Sequence, residues 1–259
     1  MPLDNRITYL GHATVLLEMN GARILTDPIL RDRVFHLQRR SLPVDAAQYQ
    51  NIDAVLISHL HWDHFDLPSL RLLGRDAHLI VPAGAAGLLN KQGYRNVVEM
   101  HPGDTTGVGR LAIQATYADH DARVFPGVPP ADCLGFLVKG AATVYFAGDT
   151  DLFPAMADLA GGLDLALLGV WGWGPNLGKK HMDPTRAAEA LALLRPRIAV
   201  PIHWGTFYPR WLSWLRPHLM TDPPLIFRRE AEKRAPEVQV EILAPGASFQ
   251  FTESQANNR

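Results

Sequence analysis

A single cysteine, Cys133, is present among 259 residues. No intramolecular disulfide can form, and a metal cluster built on several thiolates is excluded. Long apolar runs are missing too: none approaches the ~20 residues that cross a bilayer, so no membrane span is expected. The opening "MPLDNRITYL" lacks the basic-then-apolar pattern of an export signal, which makes the cytoplasm the expected compartment. Neither sign of charge is in excess, since 25 Lys and Arg stand against 26 Asp and Glu for a net charge of −1. Affinity for a phosphate backbone needs a basic surface, so nucleic acid is not an expected partner. What is left is an ordinary globular composition, 47% hydrophobic and 20% charged, with ample material for a core.

Histidine is in good supply, with 11 in the chain, and its placement matters more than its number. The stretch "SHLHWDHFD", Ser58 to Asp66, follows directly on the apolar run "DAVLI". His59 and His61 are two apart, so in extended backbone their side chains share a direction. Asp63 and His64 come after the chain has begun to turn and can address a second position nearby. Neutral imidazoles and carboxylates are zinc ligands that also suit iron and manganese. Other strand-like runs likewise end in metal-capable residues: Asp27, His101, His120, Asp149 and His203. Loops beyond strand ends form the crevice of α/β folds, so these ends are expected to converge. Spacing alone does not choose between His101 and His120.

The rest of the chain reads as alternating strands and helices with antiparallel hairpins at the start and middle. "ITYLGHATVLLEMNGARILTDP" contains three strands, with Asn20-Gly21 as a hairpin turn. "DAVLISH", "AHLIVPA", "NVVEMH", "RLAIQATYADH" and the hairpin "LGFLVKGAATVYFAGD" supply more. "LDLALLGV" and "RIAVPIHW" are near-continuous apolar runs, as in strands buried on both faces. "LPSLRLLGR" and "GAAGLLNKQG" have helical composition, and a further helix is expected to begin near Asp151 or Pro154. "HMDPTRAAEALALLRP" is a helix with Asp183 as N-cap and Pro184 at the first helical position. "YPRWLSWLRPHL" reads as a helix whose "WLSWL" pair faces the core. No linker or repeat divides the chain, so one α/β domain over residues 1–250 is expected, with 251–259 as a flexible tail.

The ordered set "LTDP", "SHLHWDH", "YADH", "FAGDT" and "PIHWGTF" resembles the metallo-β-lactamase superfamily along nearly the whole chain. Within it, "GHATVLLE…ILTDPIL" and "HMDP" most resemble the branch of ascorbate-6-phosphate lactonase and the phospholipase D that hydrolyses N-acylphosphatidylethanolamine. The resemblance implies an αββα sandwich of two mixed β-sheets with flanking helices and the metals along one sheet edge. Carried onto this sequence, it makes His59, His61 and His120 the ligands of one metal. Asp63, His64 and His203 hold the second, and Asp149 bridges. It selects His120 over His101, which becomes a surface-loop residue. The implied cofactors are two divalent ions, zinc first, with manganese or iron as alternatives. The implied activity is hydrolysis by a shared hydroxide of an ester, lactone or phosphodiester in a small or lipid-like substrate. The alternatives are a di-iron redox enzyme and a nuclease of the same fold.

Other residues fill supporting roles in this reading. Asp27 is expected to accept an N–H from a ligating histidine and fix its tautomer, and Asp63 to orient the hydroxide as well as bind metal. His181, beside Lys179 and Lys180 before a helix N-terminus, reads as a general acid or phosphate contact, or else as a histidine packed at a helix entrance. His12 reads equally as a support for the metal ligands or as a core histidine. Trp173, Trp204, Lys180 and Arg123 are candidate substrate contacts, Arg123 equally a plain surface residue. His36, His78 and His218 carry no supporting context and read as core or surface.

Overall fold

The computed structural model describes residues 5–121, 129–174 and 176–252. Two seven-stranded sheets dominate it. The first runs, in spatial order, Ser248–Phe251, Asn5–Gly11, Thr14–Met19, Ala22–Thr26, Ala54–Leu56, Leu79–Pro82 and Val97–Met100. The second runs Gln239–Val240, Ile198–Ile202, Leu165–Gly169, Thr143–Phe146, Leu134–Lys139, Leu111–Tyr117 and Thr105–Val108. Both are mixed: hairpins give antiparallel pairs on one side, and crossovers give parallel pairs on the other. The hairpin turn at Asn20-Gly21 has φ of 53° and 80°, the left-handed pair that matches the twist of the flanking strands.

Burial explains the layering. The faces of the two sheets that meet hold the main core, including Ile7, Val15, Ile24, Phe136, Phe146 and Val200. The outer face of the first sheet is covered by Leu67–Leu72 and Ala86–Lys91, which bury Leu70 and Leu89. The outer face of the second is covered by Pro184–Leu194, whose Ala187, Ala188, Leu191 and Leu194 are buried together with Phe227 and Ala231 of Asp222–Arg234. The expected αββα sandwich is therefore the one observed. As expected, the Asp183 carboxylate caps Pro184–Leu194, accepting the backbone N–H of Arg186 at 2.8 Å.

Several local readings need correction. The residues after Pro154 form a 3₁₀ helix, Pro154–Leu159. Thr105–Val108, which the sequence reading left unassigned, is an edge strand. "YPRWLSWLRPHL" is not one helix. Phe207–Pro209 is a strand in a small third sheet with Leu37–Arg39 and Arg33–Val34, and only Leu212–Leu215 makes an α-turn. A single turn is too short to lay a face on the core, and its tryptophans are left outside: Trp211 is 62% and Trp214 81% exposed. The helix Asp222–Arg234 has no counterpart in the sequence reading. Residues 253–259 of the expected tail lie outside the described residues, and Phe251 closes the last strand of the first sheet.

Strand direction decides where the site lies. Ala22–Thr26 and Ala54–Leu56 are parallel, as are Thr143–Phe146, Leu165–Gly169 and Ile198–Ile202. Leu111–Tyr117, two antiparallel steps from Thr143–Phe146, points the same way as that strand. The C-terminal ends of all these strands therefore meet along one edge of the sandwich, and Asp27, His59, His120, Asp149 and His203 each follow one of them.

Candidate metal centre

The residues beyond those strand ends form two adjoining clusters. In the first, the Nδ1 of His61 lies 3.0 Å from the Nε2 of His59 and 3.0 Å from the Nε2 of His120. In the second, the Nε2 atoms of His64 and His203 are 3.0 Å apart, and the carboxylate of Asp63 lies 3.8 Å from each. Asp149 sits between, its Oδ2 3.1 Å from His64 Nε2 and its Oδ1 3.3 Å from His203 Nε2. All of these except His61 are buried. Among the described residues, His59, His61 and His120 qualify as one group able to hold a metal, and His12, Asp63, His64 and His203 as another. His101, the other strand-end candidate, is exposed and paired with Asp132 at 3.0 Å.

The outer nitrogen of most of these rings is already committed. His120 Nδ1 lies 2.9 Å from the carbonyl of Lys180, and His203 Nδ1 2.7 Å from that of Trp171. A carbonyl only accepts, so in both rings Nδ1 carries the proton and Nε2 turns a lone pair inward. Asp27 does the same for His64, receiving Nδ1–H at 2.7 Å. Asp27 also accepts the backbone N–H and hydroxyl of Ser58, whose oxygen in turn faces His59 Nδ1 at 2.9 Å. Fixed tautomers with converging lone pairs are what a cation needs and what an empty polar pocket would avoid. The donor set therefore fits two divalent ions.

The electrostatics agree. Burial pushes His59 well below the usual imidazole range, lowers His120, and brings His203 down to about 3. These rings are neutral at physiological pH, as ligands must be. Burial also disfavours charge on His64, but Asp149 and Asp63 beside it outweigh burial and hold it well above the ordinary value. Burial would likewise raise Asp149, yet the imidazoles of His203 and His64 keep it ionised and well below its ordinary value. The well that attracts a proton to His64 is one that a metal ion would fill instead.

The backbone is bent to make this arrangement. His12, Asp27 and His203 all have positive φ, at 56°, 31° and 62°. Non-glycine residues seldom adopt that region, and such strain gathers at functional sites. His12, left open by the sequence, is 1% exposed, and its Nε2 contacts Asp63 Oδ2 at 3.0 Å. Its ring lies 3.9 Å from that of His203.

Residues 22–204 match the model of the beta-lactamase superfamily domain. The chain belongs to that superfamily. A UPF0173 metal-dependent hydrolase of Methanopyrus kandleri is 33% identical over 258 residues, which cover 95% of this chain and 99% of that protein. The solved structure of Igni18, a metallo hydrolase of Ignicoccus hospitalis, matches with a TM-score of 0.73 at 26% identity, covering 97% of this chain and 100% of that one. CmlA, a diiron beta-hydroxylase from Streptomyces venezuelae, has the same fold at a TM-score of 0.70 and 20% identity, covering 97% of this chain and 55% of that one.

A cavity of about 440 Å³ opens onto the two clusters. His61, Asp63, Asp149, His181 and His203 face the cavity, as do Trp62 and Trp173. His181 is partly exposed, with its Nε2 3.3 Å from Asp149 Oδ2. Two expected substrate contacts are elsewhere. Lys180 gives its carbonyl to His120 and its ammonium to Asp119 at 2.8 Å. Trp204 packs between the sandwich layers, its indole N–H donating to the carbonyl of Pro201 and its ring stacked on Tyr9. Arg123 lies outside the described residues. The sequence reading missed Trp62, which lines the cavity, and His36, whose ring lies 5.7 Å from that of Trp62. Trp62 had a signal, being flanked by His61 and Asp63; His36 had none.

Proposed function

We propose that this metal-dependent hydrolase works with two divalent ions, most fittingly zinc, and cleaves an ester, lactone or phosphodiester bond in a small or lipid-like substrate. The observation that carries the reading is the pair of adjoining clusters whose ring tautomers are fixed from outside so that lone pairs converge. His59, His61 and His120 would hold one ion and Asp63, His64 and His203 the other, with Asp149 shared between them. Bound there, two divalent ions supply a nucleophile from water at neutral pH and polarise the scissile carbonyl or phosphoryl group.

The chain's own groups do the rest. Asp27 holds His64 and, through Ser58, His59, so that both rings keep one orientation. His12 holds Asp63 by the oxygen that faces His64 and His203, which fixes the carboxylate's orientation at the centre. Burial disfavours the charged form of His181, but its hydrogen bond to Asp149 outweighs this and raises its pKa. It can therefore carry a proton at its Nε2 into the cavity and give it to the leaving group. The "GHATVLLE" and "HMDP" segments support a lactone or phosphodiester within this range of bonds.

Metal content by mass spectrometry on protein purified without added metal, paired with turnover of esters, lactones and bis(p-nitrophenyl) phosphate, tests the reading. About two zinc or manganese ions per chain with hydrolysis are expected. Two irons without hydrolysis would move the chain to redox chemistry, and no metal after reconstitution would sink the assignment.

A further inference from the structure

Beside the candidate ligands stands a wall of rings with no role in holding metal. Trp62 and Trp173 lie 5.3 Å apart, and His36 meets Trp173 edge-on at 5.1 Å. Phe35 adds to the outer side, 5.8 Å from Trp62. The two tryptophans rest on a buried cluster of Ile29, Val34, Leu37 and Phe207, so the wall has a rigid backing. Phe35 is held at the tip of the Arg33–Val34/Leu37–Arg39 hairpin with φ of 50° and 72% exposure. A bulky residue in left-handed backbone is disfavoured, and so is an exposed phenyl ring; together they mark a surface kept for contact. Trp62 and Trp173 line the same cavity as His61, Asp63 and His181, so a group that rests on these two rings is beside the candidate reaction centre.

Charge around the cavity is one-sided. Among the described residues lining it there is no lysine or arginine, while Asp63 and Asp149 are both acidic. Two nearby cations are engaged elsewhere: Lys180 with Asp119, and Arg31 with Asp66 at 2.6 Å. Among the described residues lining the cavity, a phosphate carried away from the scissile bond would meet no lysine or arginine. An apolar ring or branched chain would meet two indole faces, those of Trp62 and Trp173.

We propose that the cavity selects substrates with an uncharged, flat or branched apolar group, seated on Trp62 and Trp173, in preference to substrates bearing a phosphate remote from the bond to be cleaved. This rests on the hydrolase reading above and names its substrate class. It sets the chain apart from enzymes built for phosphorylated lactones.

The test uses 1-naphthol and inorganic phosphate as separate ligands of the full-length, metal-free protein, followed by calorimetry, and then 1-naphthyl acetate and ethyl acetate as substrates of the zinc-loaded protein. Naphthol binding is expected, weakened about five- to tenfold in Trp173→Ala and restored in Trp173→Phe. Phosphate is expected not to bind the metal-free protein. In the loaded protein, Trp173→Ala should raise KM for the naphthyl ester and leave kcat and metal content unchanged. Naphthol binding indifferent to Trp173, or phosphate binding without metal, would overturn the proposal. Naphthol binding that behaves as expected without hydrolysis of either ester would uphold the aromatic subsite and overturn the hydrolase reading instead.

Discussion

Gly148 and Ser58 meet at the seam between the two sheets: a Cβ placed on Gly148 would fall 2.7 Å from the Cβ of Ser58 and 2.9 Å from the carbonyl oxygen of Leu134. Gly148 also has φ of 61°. It directly precedes Asp149, and Ser58 directly precedes His59, so this close approach brings residues of both clusters together. Gly148→Ala should destabilise the fold by about 3 kcal/mol, from overpacking and left-handed backbone combined. That corresponds to a fall in Tm of about 10 °C for a chain of this size. Gly161→Ala is the control: its φ is 95° but nothing lies within 4 Å of the added carbon, so about 1 kcal/mol should be lost. Equal shifts in the two variants by thermal denaturation would show that the seam is not tightly packed.

Two clusters of buried ligands held in the metal-binding tautomer are poorly satisfied without cations. Removing metal with a chelator should therefore lower Tm, and restoring zinc should raise it. At a hundredfold excess over Kd one site contributes about 2.7 kcal/mol, or roughly 5–10 °C here. His61→Ala should abolish hydrolysis and the response to one ion while the metal-free protein keeps its circular dichroism spectrum. A zinc response of unchanged size in that variant would remove His61 from the ligand set.

The parts of this centre that were legible in the sequence are those with local spacing or strong strand punctuation. "SHLHWDH" places four metal-capable side chains within six residues of one strand end, and Asp27, Asp149 and His203 each terminate an apolar run. Of the aromatic wall only Trp173 was legible, because Phe35 and His36 sit on a hairpin with strands of two and three residues, too short for any periodicity. The helix Asp222–Arg234 was hidden by its Asp-Pro-Pro start and its run of charges. "WLSWL" misled for the opposite reason: its i, i+3 pattern suits a buried helix face, but the turn that carries it is too short to lay that face on anything. Lys180 shows a further limit, since its role at His120 is played by a backbone carbonyl, which no side-chain pattern can announce.

Asp27→Asn tests the outer support of the centre. The carboxylate accepts from His64 Nδ1, from Ser58 N and from Ser58 Oγ, and an amide of the same shape cannot accept all three through both ends. Zinc affinity should fall about 10- to 100-fold while the metal sites remain. Competition against a chromophoric chelator measures this, and affinity equal to that of the unaltered protein would show that the tautomer is fixed by something other than Asp27.

Cys133 offers a probe of the fold independent of metal. It is buried, and burial pushes its thiol up to about 12. The thiolate is the reactive form, so Ellman's reagent at pH 8 should react slowly with the folded protein and with one thiol per chain after denaturation. Fast reaction in the folded state would mean that the strand Leu134–Lys139 opens readily at its start.

His181 separates a proton-transfer role from a packing role. Its Nε2 lies 3.3 Å from Asp149 Oδ2, its Nδ1 3.2 Å from the carbonyl of Lys179, and its ring meets that of His120 edge-on at 4.6 Å. Only the first of these faces the cavity. If the ring donates a proton to the leaving group, His181→Gln should retain both metals and leave KM nearly unchanged while kcat falls about 10²- to 10⁴-fold. The loss should be smaller for esters whose leaving group needs no proton, such as p-nitrophenyl, than for alkyl esters. A structural histidine would give neither that dependence on leaving group nor a selective effect on kcat; it would instead lower metal content or Tm. Comparing p-nitrophenyl and alkyl esters in the same variant therefore decides between the two roles in one experiment.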